Sequence, residues 1–306
     1  MKILVATKKA FAPVAVEQIR EITENAGYEL ILLENYISSS HLLSAVRDAD
    51  AMIVRSDKIT ADVIGAASRL KIVVRAGAGY DNIDLEACSE HNVVAMNTPG
   101  QNSNAVAELV FEMMLFNSRK GFSGKWGTEL RGKTIGIHGF GNIGKYVAKI
   151  AGGFGMERYA FDSFVSADLI RSYGVEVCEK AEDLYAKCRY ITLHLPASEK
   201  TRNAVGINLL KLMPEDAVLI NTSRKEIINE RDLVKIFEMR SDISYLADVE
   251  PDCSKLFEEK FKKRFLFTKK KMGAQTEEAN INAGVAAARQ IVEYFENGNE
   301  KFRLNK

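Results

Sequence analysis

A glycine-rich stretch, "GFGNIG" at residues 139 to 144, has the residue types and spacing that can hold a pyrophosphate. It follows a short apolar run, "TIGIH", and opens a run with helical periodicity, "IGKYVAKIAG", which is the context such a loop requires. Gly139 permits a tight turn, Gly141 lets the backbone approach a phosphate, and Gly144 permits close packing of helix on strand. The stretch predicts a dinucleotide-binding loop, with an ordinary strand-to-helix turn as the alternative.

The next apolar run, "ERYAFD", ends in a carboxylate, Asp162. A carboxylate at this place can accept hydrogen bonds from the adenosine ribose and would repel a 2′-phosphate. The residue therefore predicts NAD rather than NADP as the cofactor. The alternative is that Asp162 only forms the turn at the end of a strand.

A lysine run, "TKKKMGAQTEEAN" at residues 268 to 280, raises the question whether one of its amines takes part in chemistry. An amine with the ordinary lysine pKa of about 10.4 is an ammonium at neutral pH. Composition alone predicts a basic surface turn, followed by a helix for which Thr276 is the expected N-cap.

The elements that must position these residues alternate along the whole chain between short apolar runs and longer amphipathic ones. This alternation is typical of parallel strands joined by crossover helices. A strongly apolar helix is predicted over residues 103 to 119, and a second series of strand candidates runs from "TIGIH" to "RFLFT". We expect an α/β protein of two domains, each built on a doubly wound parallel sheet.

Composition narrows the classes of partner. The 306-residue chain has a formal net charge of +1, which argues against nucleic acid or an anionic membrane as a partner. No apolar run approaches the ~20 residues needed to cross a bilayer, and the N-terminus shows no export signal. The four cysteines form no C-x-x-C pair, so we expect a cytoplasmic protein with free thiols and no metal site.

Further motifs follow one another in order along the chain. They are "VRSDKITADVI" (54–64), "RAGAGYDNIDLEA" (75–87), "NTPGQNSNAVAELV" (97–110), "HLP" (194–196), "INTSR" (220–224), "ADVEP" (247–251) and "MGAQTEEA" (272–279). Together with the glycine loop they resemble the D-2-hydroxyacid dehydrogenase family, most of all its D-3-phosphoglycerate dehydrogenase branch. The resemblance covers about residues 50 to 290.

The resemblance implies a fold and an assembly. A Rossmann NAD domain, residues 99–278, would be inserted into a flavodoxin-like substrate domain formed by residues 1–98 and 279–306. The active site would lie in the cleft between them, and subunits would pair through the NAD domains as a homodimer. Relatives with C-terminal regulatory domains are longer, so the chain resembles a short form without built-in serine feedback.

The implied reaction transfers a hydride between C2 of a small 2-hydroxy acid and NAD while a proton moves on the 2-oxygen. Arg224 matches the family's arginine, whose fork can hold the carboxylate and the 2-oxygen together. Two further arginines suit a phosphate group, which favours D-3-phosphoglycerate, the starting compound of phosphorylated serine biosynthesis. The predicted substrate-binding residues are Arg55, Ser56, Arg75, Gly77, Ala78, Gly79 and Asn102.

The resemblance also assigns cofactor contacts, with Asp248 expected to fix the nicotinamide amide. The predicted cofactor-binding residues are Gly139, Gly141, Asn142, Ile143, Gly144, Asp162, His194, Leu195, Pro196, Thr222, Ser223, Asp248, Gly273 and Ala274.

The chain departs from the family at the catalytic acid–histidine pair. The spacer before the Glu-Pro pair is shortened, so Glu250 is a less secure candidate for the acid, and Lys271 stands where the family has histidine. We expect Lys271, with a water as the alternative, to transfer the proton. Glu250 would keep the amine charged, whereas Arg224 and burial would lower its pKa, so that alcohol oxidation is fastest at alkaline pH.

Two other functions remain open from the sequence. A glyoxylate or hydroxypyruvate reductase would use the same fold and proton relay without needing the phosphate-binding arginines. A corepressor-like protein would keep the fold and NAD binding but act through protein partners.

Overall fold

The computed structural model describes residues 1–306, and the strands form two sheets in which all neighbouring strands run parallel. The strands are β1 (Lys2–Thr7), β2 (Glu29–Glu34), β3 (Ala51–Val54), β4 (Ile72–Arg75), β5 (Val94–Asn97), β6 (Thr134–His138), β7 (Glu157–Phe161), β8 (Glu176–Val177), β9 (Tyr190–Leu193), β10 (Val218–Asn221), β11 (Ser244–Ala247) and β12 (Phe265–Phe267). The predicted α/β class is confirmed.

The strands alternate with helices, as crossover connections between parallel strands require. The α-helices are α1 (Pro13–Asn25), α2 (Ser39–Ala45), α3 (Ala61–Ala66), α4 (Leu85–Glu90), α5 (Ser103–Ser118), α6 (Asn142–Gly153), α7 (Ala167–Ser172), α8 (Ala181–Lys187), α9 (Ile207–Leu210), α10 (Glu230–Met239), α11 (Ser254–Lys260) and α12 (Glu277–Asn297). A short 3-10 helix, Lys225–Ile227, follows β10 and bears on the site.

The first compact unit comprises residues 1–102 and 275–306 and holds a five-stranded sheet. Its strand order, β2-β1-β3-β4-β5, is the flavodoxin-like doubly wound order. The inner strand β3 and the edge strand β5 are both buried along their whole length, as expected where helices cover both faces of a sheet. Thr276 caps α12 by accepting the Ala279 N–H at 3.1 Å, as its position in the sequence predicts.

The second unit comprises residues 103–274 and holds a seven-stranded sheet. The order β12-β11-β10-β9-β6-β7-β8 is the Rossmann order extended by one strand. From β6 the chain adds β7 and β8 on one side of the sheet and then returns to add β9 to β12 on the other, so the topological switch point lies between β6 and β9. Ligands of such sheets bind outside the carboxyl ends of the strands at this reversal. The residues after β6, β7, β9, β10 and β11 are therefore the ones placed to form a site.

Candidate active site

The glycine loop follows β6 and has the backbone geometry that pyrophosphate binding needs. Gly139 has a φ of +96°, and a Cβ there would lie 2.8 Å from the His194 carbonyl oxygen. A Cβ on Gly144 would lie 2.4 Å from the Gly139 carbonyl oxygen, whereas a Cβ on Gly141 would meet no atom within 4 Å. The open space stands in front of the Gly141 backbone, at the N-terminus of α6, where an anion is favoured.

Asp162 lies just after β7 and ties the glycine loop to the neighbouring strand. Its carboxylate accepts the N–H of Phe140 at 2.6 Å, that of Phe164 at 2.7 Å and that of Val165 at 3.0 Å. The carboxylate is therefore held beside the loop by three backbone donors. Its contact with an adenosine ribose stays a prediction.

Two buried polar atoms near the ends of β9 and β10 have no partner within the chain. They are Nδ1 of His194 and Oγ1 of Thr222, both on residues predicted to contact the cofactor. Burial, together with the nearby His138, lowers the pKa of His194 to about 3, so its imidazole is neutral. Its Nε2 is 2.9 Å from Thr192 Oγ1. Buried polar groups normally have a hydrogen-bond partner, so these two fit a bound polar ligand.

The turn after β10 brings two cationic side chains together. Lys271 Nζ donates to the Ser223 carbonyl oxygen at 2.6 Å and to the Thr222 carbonyl oxygen at 3.3 Å. Arg224 Nη1 donates to the same Ser223 oxygen at 3.2 Å. The turn is held by the Asn221 side chain, which accepts the Ser223 N–H and donates to the Arg224 carbonyl. Two residues that the sequence predicted to be catalytic thus share one acceptor.

The pKa of Lys271 is lowered to about 8. The largest cause is desolvation of the amine, because Nζ folds back onto the protein even though much of the side chain is exposed. The Arg224 charge lowers the pKa further, while Asp248 and Glu226 raise it. With a pKa of about 8, about a tenth of the molecules carry a neutral amine at pH 7, and the neutral amine can act as a base.

Asp248 is 1% exposed and clamps the segment that carries Lys271. One oxygen accepts the Met272 N–H at 2.7 Å and the Thr268 hydroxyl at 2.8 Å, and the other accepts the Gly273 N–H at 2.8 Å. These bonds lie on both sides of Lys271 in the sequence. The backbone from residue 268 to residue 273 is consequently fixed by one buried carboxylate.

Glu250 is exposed, and it is absent from the charges that shift the pKa of Lys271. Its predicted role as the acid partner of the proton-transfer residue stays a prediction. The half-buried carboxylate that does act on Lys271 beside Asp248 is Glu226, on the 3-10 helix after β10. The motif order did not point to Glu226, because no family motif includes its position.

All the predicted substrate-binding residues except Asn102 lie at or just after the carboxyl ends of β3 and β4 in the first unit. Arg75 Nε donates to the Arg55 carbonyl oxygen at 3.0 Å, so the two arginines are neighbours. Arg55 itself donates to the carbonyl oxygens of Lys9 and Ala10 at 3.1 and 3.2 Å and hydrogen-bonds the Asn280 side chain. The Arg55 fork is thus already partly engaged, which its sequence position could not reveal.

The loop at residues 77 to 79 follows β4. Gly77 has a φ of +143°, and a Cβ on it would overlap the Arg75 guanidinium, so glycine is required. The Gly77 N–H donates to the Thr98 hydroxyl at 2.6 Å, and the Asn97 side chain donates to the Ala78 carbonyl at 2.6 Å. Ser56 is exposed and Asn102 is half-buried in the turn before α5. Their contacts with a substrate stay predictions.

Comparison with known proteins places these features in a family. Residues 78–260 match the family described as "D-isomer specific 2-hydroxyacid dehydrogenase, NAD binding domain". The chain belongs to the D-isomer specific 2-hydroxyacid dehydrogenase family.

Individual relatives agree with that assignment. D-3-phosphoglycerate dehydrogenase of Methanocaldococcus jannaschii is 35% identical over 83% of this chain and 51% of its own length. Hydroxypyruvate reductase of Thermotoga maritima is 33% identical over 86% of this chain and 90% of its own length. The NAD⁺-bound 3-phosphoglycerate dehydrogenase of Entamoeba histolytica has a similar structure, with a TM-score of 0.88, 48% identity and coverage of 100% of this chain and 99% of that one.

The chain spans about half the length of several curated relatives named D-3-phosphoglycerate dehydrogenase that it matches.

The family domain that matches residues 78–260 binds NAD, and the residues present in this chain fit that cofactor. The open space at Gly141 suits a pyrophosphate, and the buried unpartnered atoms of His194 and Thr222 lie at the ends of β9 and β10. No helix of the chain is long and apolar enough to cross a membrane.

Proposed function

We propose that the chain catalyses the reversible, NAD-dependent oxidation of D-3-phosphoglycerate to 3-phosphohydroxypyruvate. The observation that carries the proposal is the pairing of Arg224 and Lys271 on the Ser223 carbonyl oxygen, in the same unit as the glycine loop. A guanidinium and an amine with a lowered pKa are the two groups that oxidation of a 2-hydroxy acid needs.

Arg224 would bind the carboxylate and the 2-oxygen of the substrate, since its planar fork presents paired N–H donors. This contact holds the hydroxyl so that its proton points to a base. Lys271 in its neutral form would accept that proton as the C2–O bond gains double-bond character. In the reverse direction the Lys271 ammonium would return the proton to the oxygen of the keto acid.

NAD, when bound, accepts the hydride from C2. The glycine loop and the N-terminus of α6 would hold its pyrophosphate, while Asp162 would bind the adenosine ribose. Thr222 and His194 offer a hydroxyl and a neutral imidazole to the rest of the cofactor, each with a buried atom lacking a partner. Asp248 would orient the nicotinamide amide in addition to clamping residues 268 to 273.

The remaining substrate contacts would come from the first unit. Gly77 already donates its N–H to Thr98, so Ala78 and Gly79 are the loop residues left to donate to the substrate carboxylate. Arg55 and Arg75 are neighbours and together present enough positive charge for a phosphate. Binding of a phosphate would compete with the bonds that Arg55 makes to the carbonyls of Lys9 and Ala10.

A reductase acting on hydroxypyruvate is the second candidate. The Thermotoga maritima hydroxypyruvate reductase supports it, because this chain covers 90% of that relative. The engaged fork of Arg55 supports it as well, since an unphosphorylated substrate makes no demand on that residue.

A side-by-side assay separates the two candidates. NADH consumption with 3-phosphohydroxypyruvate and with hydroxypyruvate would be measured in the wild type, Arg55→Ala and Arg75→Ala. Phosphoglycerate dehydrogenase activity predicts a higher kcat/KM for the phosphorylated keto acid and a selective loss of that preference in both variants. Equal values for the two keto acids, unchanged by either substitution, would favour the reductase.

We further propose a homodimer formed through the NAD-binding units. Three aromatic side chains are exposed at and after the end of α5, namely Phe116, Phe122 (72% exposed) and Trp126 (97% exposed). Phe122 lines a cavity of about 520 Å³ together with Leu115, Arg119, Gly124, Lys125 and Gly127. Large exposed aromatic groups next to a cavity are typical of protein interfaces.

Light scattering after size exclusion tests the dimer. We expect the wild type at twice the 34.0 kDa chain mass and Trp126→Asp as a monomer. Ile37→Asp, in the first unit and 92% exposed, is the matched control and leaves the dimer intact. A monomeric wild type would contradict the proposal.

We also propose that the protein lies in the cytoplasm. All four cysteines are free thiols, and a reducing compartment keeps thiols in that state.

A further inference from the structure

A buried hydroxyl stands beside the imidazole at the end of β9. Thr192 lies in β9 and His194 follows the strand, and a spacing of two positions brings their side chains to the same face of the sheet. Thr192 Oγ1 and His194 Nε2 are 2.9 Å apart and form a hydrogen bond. Thr192 is fully buried, since β9 pairs with β6 on one side and with β10 on the other. The other ring nitrogen of His194, Nδ1, is buried and has no partner within the chain.

The direction of this hydrogen bond decides which nitrogen of His194 carries the proton. Burial lowers the pKa of His194 to about 3, so the ring is neutral and has one N–H and one acceptor nitrogen. If Nε2 donated, the Thr192 hydroxyl proton would have no acceptor, and Nδ1 would be an unpaired acceptor. If Thr192 donates to Nε2, the Nδ1 N–H is the single group without a partner. The second arrangement leaves fewer buried polar groups unpaired and is therefore favoured.

The backbone around His194 is fixed against the glycine loop. The His194 N–H donates to the His138 carbonyl oxygen at 2.8 Å, and the Ser223 hydroxyl donates to the Leu193 carbonyl oxygen at 2.7 Å. A Cβ on Gly139 would lie 2.8 Å from the His194 carbonyl oxygen, so loop and residue are in contact. A dinucleotide held by this loop is rich in phosphate and hydroxyl oxygens. An N–H can donate to such oxygens, whereas an unprotonated nitrogen would repel a phosphate.

We propose that Thr192 is a positioning residue for cofactor binding: its hydroxyl donates to His194 Nε2, fixes the ring proton on Nδ1, and so gives the end of β9 an N–H donor for an oxygen atom of NAD. The inference rests on the proposed contact between His194 and the cofactor. It does not depend on which 2-hydroxy acid the chain oxidises, nor on the group that moves the substrate proton.

Two other histidines of the chain provide internal references for the position of the proton. His91 Nδ1 is 3.0 Å from the Ala87 carbonyl oxygen, which can only accept, so this nitrogen carries a proton. His138 Nδ1 is 3.2 Å from the hydroxyl of the fully buried Tyr185. That hydroxyl has no other acceptor, so it donates, and Nδ1 of His138 is unprotonated. His91 and His138 thus represent the two states between which His194 has to be assigned.

The test is an NMR spectrum of the ring nitrogens in the cofactor-free protein, labelled with ¹⁵N-histidine. Protonated and unprotonated nitrogens of a neutral imidazole resonate far apart, and His194→Gln identifies the His194 signals among those of four histidines. At about pH 8, above the reference histidine pKa of about 6.5, we expect His194 Nδ1 among the protonated nitrogens. Thr192→Ser keeps the hydroxyl and should keep this tautomer. Thr192→Val keeps the shape but loses the hydroxyl, so the Nδ1 signal should move toward the unprotonated position.

A matched control and a binding measurement accompany the spectrum. Tyr185→Phe removes the hydroxyl beside His138 and should change the His138 signals while leaving the His194 tautomer in place. NADH added to the wild type should move the His194 Nδ1 signal and leave that of His91 unchanged. The Kd for NADH, followed by fluorescence, should rise about two- to tenfold in Thr192→Val, the effect of one lost hydrogen bond, and return in Thr192→Ser.

The wild-type spectrum decides the tautomer even if Thr192→Val does not fold. An unprotonated His194 Nδ1 in the wild type, or an Nδ1 signal that NADH leaves in place, overturns the inference. A Thr192→Val protein with the wild-type tautomer or the wild-type Kd overturns it as well. A protonated Nδ1 that responds to NADH, in a protein that oxidises no 2-hydroxy acid, supports the inference and defeats only the proposed function.

Discussion

Lys271 and Arg224 donate to the same oxygen, the Ser223 carbonyl, from 2.6 and 3.2 Å. Two cations on one acceptor repel each other, and the one that can lose a proton is the lysine. The guanidinium stays charged to bind the substrate, while the amine is moved toward the pH range in which it can exchange a proton. The pairing thus divides binding and proton transfer between Arg224, on the turn after β10, and Lys271, whose amine reaches that turn from the segment after β12.

Replacing Lys271 should abolish most of the oxidation while leaving the cofactor site intact. Lys271→Ala removes the base, so kcat/KM for oxidation should fall by about 10²–10⁴-fold, the usual contribution of a general acid–base group. NADH binding, followed by fluorescence, should stay close to that of the wild type. Lys269→Ala, an exposed neighbour in the same run, is the control and should keep full activity. Undiminished turnover in Lys271→Ala would point to water as the proton carrier.

The two directions of the reaction should respond oppositely to pH. The pKa of Lys271 is lowered to about 8, so the neutral amine that oxidation needs increases as the pH rises through this value. The ammonium that reduction needs decreases over the same range. Initial rates of kcat/KM in both directions from about pH 6 to about pH 10 measure this crossover. An oxidation rate that stays flat through this range would exclude Lys271 as the base.

Asp248 should matter for stability as well as for activity, because its buried carboxylate holds three groups of the Lys271 segment. Asp248→Asn cannot accept from all three donors, and an unsatisfied buried group costs about 1–3 kcal/mol. Urea unfolding should show a loss of that size together with a drop in kcat. Thr268→Val removes only one of the bonds and should cost about 1 kcal/mol. Equal stability of Asp248→Asn and the wild type would show that the clamp contributes nothing.

Much of the fold was predictable from local patterns. Apolar runs such as those of β4 and β10 are long enough and β-branched enough to identify buried parallel strands. The glycine loop identified the strand before it, β6, as the first strand of the Rossmann sheet, and Thr276 predicted the start of α12. These features depend on residues that are close in the sequence, which is why they could be predicted.

The fine structure of the site could not be predicted in the same way. The position of Lys271 followed from the order of motifs, but the acceptors of its amine, the carbonyl oxygens of Thr222 and Ser223, lie 49 and 48 positions away in the sequence. The bonds from Arg55 to Asn280 and from Gly77 to Thr98 likewise join distant segments. Such contacts depend on how the backbone returns to the same edge of a sheet, which the local sequence does not encode.

The glycine loop offers a matched pair of substitutions that separates folding from cofactor binding. In Gly144→Ala the new Cβ would lie 2.4 Å from the Gly139 carbonyl oxygen, so the backbone must shift, at a cost of about 1–3 kcal/mol in the free energy of unfolding. In Gly141→Ala the new Cβ meets no atom within 4 Å and the φ of −73° suits alanine, so stability should change by less than about 0.5 kcal/mol.

Binding of NADH should distinguish the same two variants in the opposite sense. The Gly141→Ala methyl group would stand in the space through which the pyrophosphate approaches the backbone, so we expect at least about a tenfold rise in Kd. Urea unfolding and NADH fluorescence titration on both variants measure the two effects separately. A stable Gly141→Ala protein that binds NADH as tightly as the wild type would show that the pyrophosphate does not sit over this loop.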